Sequence, residues 1–175
     1  MILKGKNVNL RALEPSDIDV LYQWENDTDI WGISQTSTPF SRKILKDYLD
    51  NVHLDIFTTK QVRLMIENNI SGIPLGTIEM FDFDPQNQRA GIGILVYEKE
   101  NRNRGIGRES LNLFIKYAFD ILYLNQIFCN ILTENKESVA LFENLGFQKI
   151  GIKKKWIRLK DGFKDEYMFQ LINTK

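Results

Sequence analysis

The sequence predicts a mixed α/β domain in which a mostly antiparallel sheet is flanked by helices. A strand-like run at residues 93–97 leads through a glycine loop into a long amphipathic helix. Alternating strands separated by turn residues precede this unit, and two long alternating strands around Lys160-Asp161-Gly162 follow it. Such an order is typical of a mixed layer and not of a doubly wound parallel sheet. We expect residues 1–175 to form one domain, since a chain of this length buries about 70% of its unfolded surface.

The first half of the chain predicts a strand, two helices and a three-strand meander. Residues 7–13 alternate between polar and apolar, as a half-buried strand does. Pro15-Ser16-Asp17 offers a cap for the first helix, and turn residues at 68–72 and 84–87 separate the later strands. In chain order the predictions are a strand at 7–13, helices at 18–25 and 41–53, and strands at 61–67, 75–82 and 89–96.

The second half predicts two further helices, a buried strand and a C-terminal hairpin. An apolar stripe at helical spacing begins at Leu111 and ends at Leu122, and Gly146 stands where a helix C-cap is expected. In chain order the predictions are a helix at 105–123, a strand at 125–132, a helix at 135–145, and strands at 147–159 and 163–172.

Composition excludes several classes of function. The 23 basic and 23 acidic residues give a formal net charge of zero, so we expect no nucleic-acid partner. The single Cys129 and single His53 exclude a disulfide framework and a His/Cys zinc site, and they disfavour Ser-His or Cys-His catalysis. We therefore expect no metal. No leader-like or membrane-length apolar run is present, so we expect no membrane association and a cytoplasmic location.

The glycine loop predicts a binding site for a phosphate-bearing cofactor. A helix N-terminus leaves N–H groups without internal partners, and glycines let an anion approach them closely. Gly107 is followed by Arg108-Glu109-Ser110, which lacks the lysine of a Walker A loop and the third glycine of a dinucleotide fingerprint. The loop itself reads Arg102-Asn103-Arg104-Gly105-Ile106-Gly107.

This loop resembles the [Q/R]-x-x-G-x-[G/A] motif of the GNAT N-acetyltransferase superfamily. A second block is similar to that family's E-N-x-x-[AS]-x-x-L-[YF]-x-x-x-G-F signature, and it reads Asn135-Lys136-Glu137-Ser138-Val139-Ala140-Leu141-Phe142-Glu143-Asn144-Leu145-Gly146-Phe147. The predicted element order also resembles the whole family fold. Residues 10–17 and 162–167 look like the ribosomal-protein and spermidine N-acetyltransferases. The resemblance implies an acetyl-CoA-dependent enzyme that acetylates a primary amine by direct attack.

The resemblance also implies which residues bind acetyl-CoA. Backbone groups of Leu95, Val96 and Tyr97 would contact the pantetheine, and Asn135 and Ser138 would line the thiol end. Two other interpretations stay open: Asn135 can simply cap its helix, and Ser138 can be a first-turn residue without a ligand. The remaining implied contacts are the pyrophosphate loop and the neighbouring aromatic position, namely Arg102, Asn103, Arg104, Gly105, Ile106, Gly107, Arg108 and Phe142.

Glu79 is the candidate general base. It lies in a predicted strand between Ile78, Met80 and Phe81, and desolvation by such neighbours would raise the pKa of its carboxyl. The alternative is that it points outward from an alternating strand.

The general acid is less clear from the sequence. Where many relatives have a Tyr, this chain has Phe142, which has no proton to donate. Ser138, a water molecule or Tyr97 is then the candidate acid, unless the thiolate leaves unprotonated, which a thiol of pKa about 8.5 allows.

The acceptor is left open between a small cationic amine, such as a polyamine, and a protein N-terminus. Residues 14–29 contain six acids and no Lys or Arg, and in relatives this region walls the acceptor site. The run either attracts a cation or is merely solvated and capping. A CoA-binding sensor or structural module without turnover remains the alternative function. The sequence also leaves open whether the C-terminal strands pair across a homo-oligomer.

Overall fold

Eight strands form one open sheet in the computed structural model, which describes residues 2–34, 36–51 and 55–174. Their order is β1-β2-β3-β4-β5-β6-β8-β7, and every pairing is antiparallel except that of β5 with β6. The predicted mixed α/β class is confirmed. The strands are β1 (Ile2–Lys4), β2 (Val8–Ala12), β3 (Val62–Asn68), β4 (Pro74–Asp84), β5 (Arg89–Val96), β6 (Gln126–Leu132), β7 (Gln148–Leu159) and β8 (Gly162–Ile172).

Helices flank this sheet, and two short ones were not predicted. The unpredicted α2 and α4 span seven and four residues, too few to display a helical period, and α2 contains Gly32. The predicted helix at 105–123 is α5 followed by a π-helical turn at Tyr117–Ile121. The end of the second predicted helix, with His53, lies outside the described residues. The helices are α1 (Ile18–Glu25), α2 (Thr28–Ser34), α3 (Arg42–Asp50), α4 (Ile56–Thr59), α5 (Ile106–Lys116) and α6 (Lys136–Asn144).

The two faces of the sheet carry separate hydrophobic cores. On one face, Phe114 of α5 and Phe142 of α6 join alternate strand residues such as Ile78 and Met80. On the other face, α1 and α3 pack over Met65 of β3. Strand residues therefore alternate between the α5 face and the α1–α3 face, which decides where each candidate side chain points.

Strands β5 and β6 separate soon after they begin. Their parallel pairing covers three residues of each strand, Arg89–Gly91 of β5 and Gln126–Phe128 of β6. Beyond this point β5 stays paired with β4, and β6 stays paired with β8, to the ends of both strands. Within the described chain, no strand fills the gap beyond Gly91. The gap leaves backbone edges of both strands available to a ligand.

Two polar networks fix the N-terminal segment. Arg11 donates from its terminal nitrogens to both Asp17 oxygens at 2.8 and 2.9 Å, and from Nε to Glu67 at 2.5 Å. In the second network, Glu109 at the start of α5 accepts from the backbone N–H and the side-chain amide of Asn7, both at 2.8 Å. Burial acts to raise the pKa of Glu109, but these hydrogen bonds outweigh it and hold the pKa below its ordinary value.

Candidate active site

The gap between β5 and β6 contains two adjoining cavities. The loop cavity, about 200 Å³, lies between the end of β5, the 102–108 loop and α6. The central cavity, about 320 Å³, lies between the α1–α3 face of β4 and β5, helix α2, and strands β6 and β8. Asn135 and Ser138 line both cavities and mark their junction. Predicted cofactor residues that line the loop cavity are Leu95, Val96, Arg102, Asn103, Gly105, Gly107, Arg108, Asn135 and Ser138.

The loop has the backbone shape of an anion site. Asn103 and Gly105 have left-handed φ angles of 58° and 83°, and α5 begins at Ile106 immediately afterwards. A Cβ atom on Gly105 would have nothing within 4 Å, so conformation and not crowding favours glycine there. Gly105, Gly107 and Arg108 line the loop cavity, so the first residues of α5, whose N–H groups lack internal partners, lie beside it. Arg104 is exposed, and neither it nor Ile106 lines this cavity.

Arg102 braces the loop against the end of β5. Its Nε and one terminal nitrogen donate to the carbonyl oxygens of Val96 and Tyr97, each at 3.0 Å. Its guanidinium is therefore engaged by main chain, whereas the resemblance had implied a contact with pyrophosphate.

Strand alternation decides which β5 backbone groups face the gap. The N–H of Tyr97 donates to the Leu75 carbonyl at 3.0 Å, so Tyr97 is hydrogen-bonded towards β4. In an antiparallel ladder every second residue points the same way, which directs the backbone of Leu95 towards β4 and that of Val96 and Ile94 into the gap. Of the three predicted contacts only Val96 has this orientation, and Ile94 joins it although it was not predicted. Which residues of β5 direct their backbone groups into the gap depends on the alternation of hydrogen bonds with β4, and the sequence alone does not show where that alternation begins.

At the junction, Asn135 and Phe142 have structural contacts of their own. Asn135 is the N-cap of α6, and its side-chain oxygen accepts from the Ser138 N–H at 3.1 Å. Phe142 is buried, packs edge-on against Phe147 at 5.0 Å between ring centroids, and lines the central cavity. The aromatic ring at position 142 is thus part of the core as well as of the cavity wall.

Three carboxylates and one guanidinium line the central cavity. Arg63 donates to Glu25 at 2.5 Å and to the hydroxyl of Thr77 at 3.2 Å. Glu166 is only 4% exposed and forms an ion pair with Lys153. Glu79 is the carboxylate of this cavity that forms no ion pair with any residue in the described ranges. Burial acts to lower the pKa of Arg63, but Glu25 and Glu79 together outweigh it and raise the pKa.

Glu79 projects into the central cavity as an exposed side chain. Its register partners are Arg63 on β3 and Gly93 on β5, and a Cβ atom added to Gly93 would approach Glu79 Oε1 to 3.3 Å. Ile78 and Met80, which suggested desolvation, lie in the core on the opposite face. Of the two interpretations that the sequence left open, the outward-pointing one describes this side chain, because alternation places sequence neighbours in a strand on opposite faces.

Tyr97 lies on the α1–α3 face, outside the lining of both cavities. Its hydroxyl donates to Asp27 at 2.9 Å, and its ring stacks on Trp24 with 5.2 Å between centroids. Burial, with help from Asp27, raises its pKa. Its candidacy as general acid loses geometric support, whereas Ser138 remains at the cavity junction.

The acidic run at 14–29 contributes less to the site than its charge suggested. Glu25 is the one acid of the run that lines the central cavity. Asp17 and Asp19 pair with Arg11 and Arg42, and Asp27 accepts from Tyr97. Most of the run therefore does not face the central cavity. The sequence interpretation had these acids capping or solvated, and the ion pairs of Asp17 and Asp19 were not part of it.

Sequence reasoning missed Arg63 and Glu166 as cavity residues. Arg63 reaches the site only through the β3–β4 register, which brings it opposite Glu79. Glu166 stands across the β7–β8 ladder from Lys153. For Glu166 the sequence did offer a signal, because this acid lies in a predicted strand whose hairpin partner is rich in lysine.

Two features are characteristic of one class of protein, namely the 102–108 loop at the N-terminus of α5 and the separation of β5 from β6. A family model described as acetyltransferase (GNAT) domain matches residues 7–148, so the chain belongs to the GNAT family. It is an N-acetyltransferase, in agreement with its relatives, which are named N-acetyltransferases.

Relatives and structural neighbours span almost the whole chain. It is 27% identical to the prophage-derived uncharacterized N-acetyltransferase YokL of Bacillus subtilis over 165 residues, 94% of this chain and 89% of that one. It is 28% identical to the uncharacterized N-acetyltransferase p20 of Bacillus licheniformis over 99% of this chain and 97% of that one. A spermidine N-acetyltransferase from Vibrio cholerae, solved with CoA and spermine, superposes with a TM-score of 0.87 at 22% identity, covering 98% of each chain.

Neither a membrane helix nor a metal cluster occurs among the described residues. No helix in these ranges is long and apolar enough to cross a membrane. No group of three or more described His, Cys, Asp or Glu side chains is arranged to hold a metal ion.

Proposed function

We propose that this N-acetyltransferase uses acetyl-CoA to acetylate a primary amine by direct attack, the acceptor being a small cationic amine such as a polyamine, or a protein N-terminus. The observation that carries the proposal is the junction of the two cavities at Asn135 and Ser138. It joins a loop suited to an anion with a cavity lined by carboxylates. An amine and a thioester can therefore meet without either crossing the sheet.

The loop cavity suits the phosphate and pantetheine parts of CoA. Backbone groups around Asn103, Gly105 and Gly107 would hold the pyrophosphate at the N-terminus of α5. The gap-facing edge of β5 at Ile94 and at the Val96 N–H offers strand-like hydrogen bonds to the amides of pantetheine, since the Val96 carbonyl already accepts from Arg102. Acetyl-CoA, when bound, would supply the acetyl group as a reactive thioester.

The central cavity suits a cation. Glu25 pairs with Arg63 and Glu166 pairs with Lys153, so Glu79 is the carboxylate that gives this lining an unpaired negative charge among the described residues. Glu79 is exposed and can bind a further positive group. The neighbour with spermine supports this only through the shared fold, because its sequence identity is 22%.

Glu79 is proposed to accept the proton that the amine releases. As the amine nitrogen bonds to the acetyl carbon, the carbon–sulfur bond breaks and CoA leaves as a thiolate. That thiolate takes a proton from water, either directly, through Ser138 acting as a relay that regains its proton from water, or in solvent after release. Release without protonation is tolerable because the pKa of the thiol is about 8.5.

The direct test is release of free thiol from acetyl-CoA in the presence of separate acceptors. The panel contains spermidine, spermine, amino sugars, aminoglycosides and peptides with free N-termini, and products are identified by mass spectrometry. We expect N-acetylated product with at least one cationic amine. Tight CoA binding without turnover on the whole panel would instead favour a CoA-binding sensor.

A further inference from the structure

We propose that Tyr97 is a positioning residue that transmits occupancy of the loop cavity to helix α2, the wall of the central cavity. The inference rests on the proposed function in that it takes the loop cavity to bind CoA. It is carried by a continuous set of contacts that connects the two sites through three side chains.

The first connection is between the loop and β5. Arg102 holds the carbonyl oxygens of both Val96 and Tyr97, at the point where β5 ends and β6 has already diverged. Any ligand that fixes the 102–108 loop therefore also fixes the backbone of Tyr97.

The second connection is between β5 and α2. The hydroxyl of Tyr97 donates to Oδ2 of Asp27 at 2.9 Å, and the other oxygen of Asp27 accepts from the Asp29 N–H at 2.9 Å. The Asp27 carbonyl accepts from the Ile30 N–H at 3.0 Å. Asp27 thus starts α2, and Tyr97 orients Asp27.

The third connection is between α2 and the central cavity. Ile30, Gly32 and Ser34 of α2 line that cavity, as does Glu79 of β4. The position of this short helix sets the width of the cavity. Because α2 has seven residues, tertiary contacts and not its own helical stability must hold it in place.

Binding and exchange measurements on Tyr97→Phe test the proposal without requiring turnover. Hydrogen exchange by mass spectrometry is followed in α2 with and without CoA, in wild type and variant. We expect CoA to slow α2 exchange at least threefold in wild type and to have almost no effect in Tyr97→Phe, while the Kd for CoA changes less than twofold. Tyr123→Phe, which removes the same phenolic hydroxyl from a side chain 75% exposed, is the matched control.

Kinetics provide the second readout. Tyr97→Phe is expected to raise the KM for the acceptor about fivefold, since it removes a hydrogen bond to a partly exposed carboxylate. Asp27→Ala should raise this KM at least as much, because it also removes the acceptor of the Asp29 N–H, whereas Asp27→Asn should stay near wild type, because an amide oxygen still accepts from the hydroxyl. The double variant Tyr97→Phe/Asp27→Ala should be no worse than Asp27→Ala alone.

Two outcomes would overturn the inference. One is an effect of CoA on α2 exchange that is the same in Tyr97→Phe as in wild type, whether that effect is large or absent. The other is a double variant whose losses in acceptor KM multiply, which would make the two residues independent. A wild-type enzyme that binds CoA yet acetylates no amine would contradict the proposed function, and the exchange experiment would still decide the role of Tyr97.

Discussion

Replacing Glu79 with Gln tests the proposed base most directly. The amide has the shape of the carboxylate and cannot accept the proton of an ammonium group. General bases contribute about 10²- to 10⁴-fold to rate. Because Glu79 is exposed and water can reach the same nitrogen, we expect the lower limit, about a 100-fold fall in kcat/KM at pH 7, or about 2.7 kcal/mol of transition-state stabilisation.

The pH dependence separates a base from a simple electrostatic anchor. Solvent removes the proton from a growing fraction of the amine as the pH rises towards the amine's own pKa. The deficit of Glu79→Gln should therefore shrink with rising pH if the carboxylate is the base. Loss of an anchor would instead raise the acceptor KM and leave kcat near wild type.

The assay is thiol release under saturating acetyl-CoA between pH 6 and 10. Glu143→Gln is the control, because that side chain is exposed on α6 and its ion pair with Lys149 is long, at 3.9 Å. A kcat for Glu79→Gln within twofold of wild type across this range would refute the assignment. Gly93→Ala adds a graded test, since its new methyl would press on the Glu79 carboxylate from 3.3 Å.

Three further predictions concern the loop and the N-terminal networks. Gly105→Ala should weaken CoA binding about fivefold, measured by calorimetry, because alanine in the left-handed region costs about 1 kcal/mol. The control Gly151→Ala, at a position with open space around it, should leave CoA binding unchanged. Asp17→Ala should lower the free energy of unfolding, measured in urea, by about 3 kcal/mol, because it removes the bidentate partner of Arg11. The control Asp19→Ala, at an exposed ion pair, should lower it by less than about 1 kcal/mol. The depressed pKa of Glu109 contributes stability above the unfolded pKa near 4.5 that is lost as the pH falls through the folded value. Glu109→Gln should therefore flatten the urea stability profile between pH 3 and 6.

Each of these has a result that would contradict it. Equal CoA affinity in Gly105→Ala would mean that the left-handed turn does not shape the cradle. Equal losses at the buried and exposed aspartates would mean that burial does not govern the strength of the Arg11 network. A Glu109→Gln profile as steep as that of wild type would assign the acid sensitivity to other carboxylates.

The order of the longer elements could be predicted because each carries its own periodic signal. The hairpin around Gly162 and the amphipathic stripe of α5 are examples, and both occur where expected. Helices α2 and α4 could not be predicted, because one or two turns contain no repeat for a pattern to reveal.

The site was predictable where it consists of contiguous sequence and not where it depends on register. The residues of the 102–108 loop gather around one cavity because they are neighbours in the chain. Arg63 meets Glu79 only because β3 and β4 pair in one register, and Arg102 binds backbone that lies five and six residues before it. Side-chain direction and strand register are tertiary properties that a single sequence specifies only weakly.

The split between β5 and β6 has a consequence for how this enzyme can change over evolution. Much of the surface proposed for the donor is main chain, which no point substitution deletes, whereas the surface proposed for the acceptor is built from side chains. Among these, the exposed Glu79 can be exchanged without breaking an ion pair of the described chain. Point substitutions therefore affect donor binding less than acceptor binding, and the exchange of a few side chains can change which amine is accepted. Duplicated copies of such a gene can therefore diverge in the amine they acetylate while all of them keep the same acetyl donor.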